Sequence, residues 1–76
     1  MREITAYILA IVKTGKEYDL VSEISKMEGV REVLITYGTY DLVIRVEVGT
    51  LAELDKLVTT VRKLEGVERT ETLIGV

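Results

Sequence analysis

The sequence predicts an α+β domain of order βαββαβ, a four-stranded antiparallel sheet with two helices on one face. Three observations predict it. The chain of 76 residues repeats itself after about 37 positions, so that "KMEGVREVLITYG" (Lys26–Gly38) lies over "KLEGVERTETLIG" (Lys63–Gly75) without a gap. Each half carries an extended β-branched run, a helical apolar stripe and a second extended run. Each half also uses the same punctuation, Thr-x-x-Glu before the stripe and glycine after it.

The elements follow in order. Ile4–Lys13 reads as the first strand, apolar on both alternating sets of positions. Thr14-x-x-Glu17 has capping-box form, in which the threonine oxygen takes an orphan N–H three residues on. Leu20, Val21, Ile24 and Met27 then recur at helical spacing, and Gly29 falls where a left-handed C′ glycine would end the helix. The second strand is expected over Val33–Tyr37. Gly38-Thr39 suits a two-residue type II′ turn, whose first central position needs positive φ. That turn sets Tyr37 opposite Tyr40, Thr36 opposite Asp41, Ile35 opposite Leu42 and Glu32 opposite Arg45. Leu42–Val48 is the third strand, and Thr50-x-x-Glu53 is a second capping box. Leu54, Leu57, Val58, Val61 and Leu64 form the second stripe, Gly66 stops it, and Thr70–Ile74 is the last strand. Two tandem βαβ halves joined by a hairpin make the ferredoxin-like arrangement.

Alternation then sorts the two faces of the sheet. Val33, Ile35, Tyr37, Leu42, Ile44, Val46 and Val48 are expected under the helices, and the repeat adds Tyr7, Leu9 and Ile11. The opposite face would carry Ala6, Ile8, Ala10, Val12, Leu34 and Val43, fringed by Glu32, Arg45 and Glu47. No helix remains to cover it. Half-burial of about six such side chains favours face-to-face pairing of two sheets by several kcal/mol. That is comparable with the stability of a small domain, so a homodimeric α/β sandwich or barrel is expected.

Composition narrows the function. The chain is 47% hydrophobic and carries a formal net charge of −3, so no global positive field draws nucleic acid or anionic lipid. Its mean hydropathy is +0.24, rich for so short a chain, which again points to self-association. The longest apolar run, Ala6–Val12, is far too short to span a membrane, and the start lacks a signal-peptide shape, so a cytoplasmic location is expected. His, Cys, Trp, Phe and Pro are absent. This removes imidazole and thiolate metal sites, thiol nucleophiles and any His-based triad, so no metal, no cofactor and no enzyme activity are expected.

The G-x-Y-D hairpin (Gly38, Tyr40, Asp41), the G-V pair at Gly66-Val67 and the closing T-x-T at Thr70 and Thr72 together resemble one family over essentially the whole chain. It is the effector-binding (RAM) domain of the Lrp/AsnC transcription regulators. The resemblance implies a small-molecule effector, an amino acid above all, acting through oligomerisation. It implies dimers assembled into rings, such as an octamer or decamer, with the effector between neighbouring dimers. It makes Gly38, Thr39, Tyr40 and Asp41 one wall of the pocket, with Thr70 and Thr72 nearby. Asp41 would accept from the ammonium, and turn N–H groups or threonine hydroxyls would donate to the carboxylate. Full regulators of the family carry a helix-turn-helix. Residues 1–76 read as a single effector domain without one, so direct DNA binding is not expected, and the partners would be helix-turn-helix relatives carrying the same domain.

Blander readings stand beside these. Asp41 can instead bond the hairpin backbone, Gly38 can serve φ alone, and Thr70 and Thr72 are ordinary strand residues. Tyr7 and Tyr37 fall on the side assigned to the helices and read as core rather than as base-stacking platforms. Glu23–Lys26 and Glu53–Lys56 read as helix-surface pairs, and Ser22 and Ser25 as surface. A pure assembly module without a ligand, an ACT-like sensor paired through its edges, and a small dimeric α/β-barrel enzyme remain as alternatives.

Overall fold

The computed structural model describes residues 3–76 of the predicted domain 1–76; the first two lie outside the described residues. Six elements appear in the expected order: β1 (Ile4–Val12), α1 (Glu17–Ser25), β2 (Val30–Ile35), β3 (Leu42–Val48), α2 (Leu51–Arg62) and β4 (Val67–Ile74). They build one antiparallel sheet of order β2-β3-β1-β4. The register across β2 and β3 is the expected one, with Glu32 opposite Arg45 and Ile35 opposite Leu42. Both outer strands start earlier than expected, and β2 ends two residues short of Tyr37. A bulge at Arg31 lets β2 begin at Val30 while keeping that register.

One expectation is overturned in a way that matters for function. Ala6, Ile8 and Ala10 are fully buried and Val12 is 5% exposed, so they lie beneath the helices and not on the open face. Their register partners on β3 are Val46 for Ala6, Ile44 for Ile8 and Leu42 for Ala10, themselves buried core residues. Tyr7, Leu9 and Ile11 therefore belong to the uncovered side, where Tyr7 is 41% exposed. The cause is a one-residue slip in the internal repeat. From buried Val12 to buried Leu20 is eight positions, whereas from buried Val48 to buried Leu57 is nine. A gapless overlay carries that difference back into β1, and in a strand one residue exchanges the faces. Because β1 is apolar on both faces, its own alternation could not reveal the error. Leu34 and Val43 do sit on the open face, opposite one another. Tyr37 is fully exposed and takes no part in the core.

The two helices start differently. Thr50, in extended backbone, accepts from the Glu53 N–H at 3.1 Å, and the Glu53 carboxylate takes the Gly49 N–H at 2.9 Å. Thr14 caps nothing. The chain turns through Lys13–Lys16, closed by Lys16 N–H to Lys13 O at 3.0 Å, and α1 begins only at Glu17 with Lys16 as N-cap. Glu17 satisfies the Gly15 N–H instead, at 2.9 Å. Nor are Gly29 and Gly66 C′ residues. The C-caps are Lys26 and Lys63, and the glycines sit beyond them, each third in a turn closed by Val30 N–H to Met27 O and Val67 N–H to Leu64 O. Their φ values of 93° and 100° suit glycine there. Each carbonyl is stitched to the sheet, Gly29 O by the Glu47 N–H and Gly66 O by the Lys13 N–H, both at 2.8 Å. Among the described residues neither Glu23–Lys26 nor Glu53–Lys56 forms an ion pair; Glu53 is held in its cap.

Among the described residues the core is wholly apolar: Leu20 and Ile24 of α1 and Leu54, Leu57 and Val61 of α2 close on the buried residues of β1 and β3.

Candidate functional site

The hairpin between β2 and β3 is wider than a two-residue turn. Its innermost backbone bond runs from Thr36 N–H to Asp41 O at 2.9 Å, leaving Tyr37–Tyr40 as the loop. Three competing bonds hold it open. The Thr36 hydroxyl donates to Tyr40 O at 2.8 Å, the Asp41 N–H leaves the hairpin for Ala10 O at 2.8 Å, and the Tyr40 hydroxyl reaches Glu71 of β4. Gly38 has φ of 120° and open space where a Cβ would stand, so it serves the backbone and is also approachable.

Asp41 is half-buried, and its Oδ2 accepts from the Val12 N–H at 2.8 Å. The carboxylate thus ties the hairpin to the C-terminal end of the neighbouring strand β1 and not to its own turn. The Glu71 carboxylate that accepts from Tyr40 raises that phenol's pKa. Thr70 and Thr72 pair with Ala10 and Ile8, so both lie on the helix side of β4 and are half-buried. Asp41 and Thr70 are joined through Ala10, which pairs with Thr70 and accepts from the Asp41 N–H. Thr72 is one register row further along. The structure therefore gathers Gly38, Thr39, Tyr40, Asp41 and Thr70 at one end of the sheet.

The open face has its own geography. Glu32, Arg45, Tyr7 and Leu73 form one register row, and Leu34, Val43, Leu9 and Glu71 the next. An apolar band of Leu34, Val43, Leu9, Tyr7 and Leu73 crosses it. At one corner Glu47 takes Arg31 at 3.0 Å and Arg45 at 3.3 Å, while Arg45 also meets Glu32 at 3.6 Å. Sequence reasoning named Glu32, Arg45 and Glu47 as a fringe but missed Arg31, whose side chain joins them only because of the bulge. It also missed Glu71, which the corrected phase of β1 would have placed opposite Leu9.

Set against known proteins, this fold is that of a regulatory ligand-binding domain. The model of the Lrp/AsnC ligand binding domain matches residues 5–75. The HTH-type transcriptional regulator FL11 of Pyrococcus furiosus is 38% identical over 71 residues, covering 93% of this chain and 47% of FL11. The crystal structure of TTHA0845 from Thermus thermophilus superposes with a TM-score of 0.92 at 40% identity, covering 96% of this chain and 92% of that one. A feast or famine regulatory protein from M. tuberculosis shares the fold alone, with a TM-score of 0.76 at 19% identity over 96% of this chain and 51% of that one. The chain belongs to the Lrp/AsnC ligand-binding domain family. Its curated relatives include the transcriptional regulator FL11 and the regulatory protein AsnC of Haemophilus influenzae. It spans about half the length of the curated relatives it matches.

Proposed function

We propose that this chain is a cytoplasmic effector module that binds a small amino acid and acts by changing how its copies assemble, so modulating transcription through partner regulators with the same domain. The observation that carries the reading is the hairpin. Gly38 is open to approach, and Asp41 is fixed by one carboxylate oxygen, leaving Oδ1 for an ammonium. Thr70, at the same end of the sheet, supplies a hydroxyl for a carboxylate, with Thr72 one row behind it. The fold neighbour from M. tuberculosis is complexed with L-methionine, which makes methionine a sensible first probe.

Pairing supplies the mechanism. The apolar band on the open face buries well only against another such band, and a twin offers one. A ligand seated where dimers meet shifts assembly by its differential affinity for the assembled and separate forms. Each charge-assisted bond contributes about 1.5–3 kcal/mol, so three or four, less the cost of association, give roughly micromolar to millimolar affinity. The experiment is thermal unfolding against the twenty amino acids. At about a hundred times its Kd a ligand adds about 2.7 kcal/mol, which is roughly 10–20 °C in a chain this short. A flat response to all of them would overturn the effector reading. It would favour the second reading, a pure assembly module, which the bond from Val12 N–H to Asp41 supports by giving the carboxylate a structural task.

A further inference from the structure

The cations of this chain are unevenly placed. Arg31 and Arg45 are engaged in the charged corner of the open face. Arg62, Lys63 and Arg69 instead flank the turn from α2 into β4. Lys13 joins them there through its N–H bond to Gly66 O, and the Lys16 side chain lies against Gly66, its Cγ 3.2 Å from where a Cβ would stand. Five of the chain's ten lysines and arginines thus meet at one end, and among the described residues none of the five is in an ion pair. The acids nearby are largely engaged. Glu17 holds the Gly15 N–H, Asp41 the Val12 N–H and Glu71 the Tyr40 hydroxyl. A chain of net charge −3 therefore has a positive end.

Within that end lies a cleft of about 250 Å³, lined by Arg62 of α2 and by Val67, Glu68, Arg69 and Thr70 of β4. Two backbone features shape it. Ile11 pairs with Arg69 but Val12 with Val67, so Glu68 is an extra residue that bulges the start of β4. β4 is also an outer strand of the sheet. The Gly75 N–H bonds Thr5 O, so by alternation Arg69, Glu71 and Leu73 turn their backbone groups to β1, and the Thr70 N–H points off the edge.

We propose that this cleft binds a phosphate dianion, free or carried on a small phosphorylated metabolite, between Arg62 and Arg69. Guanidinium forks from two separate elements match phosphate oxygens bidentately, and the outward Thr70 N–H adds a neutral donor. A phosphate monoester carries about −1.5 to −2 charges at neutral pH and so answers both arginines, where a single carboxylate would leave one uncompensated. Val67 is the one apolar lining residue, so little rewards an apolar body and charge makes the selection. Lys13 and Lys16 behind the cleft strengthen the local field, while Glu68 on its rim opposes it and holds the expected affinity in the millimolar range. The cleft meets the hairpin reading only at Thr70, where the hairpin would use the hydroxyl and the cleft the backbone N–H. Neither site depends on the other.

The test is phosphorus NMR of inorganic phosphate, and in parallel of AMP, titrated with the full chain at constant ionic strength. Phosphate is expected to broaden saturably in the millimolar range. Acetate should displace it at least roughly tenfold less well than added phosphate does, and adenosine, which lacks the phosphate, should not displace AMP. Arg62→Gln and Arg69→Gln, both at exposed positions, should each weaken binding by roughly tenfold or more with circular dichroism unchanged. Lys56→Gln removes the same charge from an exposed position of α2 outside the cluster and should stay within about twofold of the parent. AMP bound more tightly than phosphate would support the site and make a phosphorylated metabolite its occupant; AMP bound no more tightly would support it with phosphate itself as occupant. No saturable broadening, acetate as effective as phosphate, displacement of AMP by adenosine, or equal weakening in Lys56→Gln and the arginine variants would overturn it.

Discussion

The two halves of this chain nearly match in sequence, and they differ in what their matching residues do. Thr50-x-x-Glu53 caps α2 with two bonds, while Thr14-x-x-Glu17 leaves its threonine idle. Ile44 is core, whereas Tyr7, which overlays it at the gapless shift, faces outward. The motif is necessary for a capping box but not sufficient. Thr50 arrives in extended backbone, at φ −141° and ψ 159°, directly after its strand; the first half inserts a closed turn at Lys13–Lys16 between strand and helix. One residue of difference between strand and helix decides which side of β1 meets the core, and so which side chains are free to meet another copy.

The sharpest way to break the comparison is inside β1. Ile8→Ala removes a fully buried side chain and should lower unfolding free energy in urea by about 2–5 kcal/mol. Leu9→Ala, one position along and on the open face, should cost the single chain about 1 kcal/mol or less and show itself in assembly. Equal losses at both positions would contradict the assigned phase.

Next comes the pair of glycine contexts. Gly29→Ala meets both a positive φ and Val48 at 3.1 Å, and should cost about 2–3 kcal/mol by denaturant melts. Gly38→Ala, also at positive φ but in open space, should cost about 1–2 kcal/mol. The caps give a smaller contrast: Thr50→Ala should cost about 1 kcal/mol, while Thr14→Ala should stay within about 0.5 kcal/mol of the parent.

Smallest is the alkaline limb at Tyr40. Its folded-state pKa is raised by the hydrogen bond to Glu71, so protonated Tyr40 is favoured by folding. That contribution is fully present below the ordinary phenol pKa and is lost as pH climbs through the raised value. Tyr40→Phe should flatten the corresponding part of a stability profile, and Glu71→Gln should bring the phenol's absorbance titration back toward its ordinary midpoint.

Much of this molecule was legible in its residues. The order of elements, the β2–β3 register from Glu32 to Ile35 and the existence of an uncovered apolar face follow from periodicity and the repeat. The phase of β1 did not follow, because Tyr7, Leu9 and Ile11 are about as apolar as Ala6, Ile8 and Ala10. The hairpin's width was hidden because it depends on where Thr36, Tyr40 and Asp41 send their polar atoms. Asp41 has a partner 29 positions away in Val12, and spacing cannot disclose such a contact. The charged corner needed the bulge at Arg31, which leaves no mark in composition.

Assembly through the open face requires that the band of Leu34, Val43, Leu9, Tyr7 and Leu73 be covered in solution. Multi-angle light scattering behind gel filtration, on the parent chain and on Leu9→Glu at micromolar concentration, asks this directly. The parent should run at twice the chain mass of 8.5 kDa or a multiple of that dimer, and Leu9→Glu should fall to the single-chain mass while keeping its circular dichroism. A parent chain that runs alone, or a Leu9→Glu variant that assembles as the parent does, would contradict it.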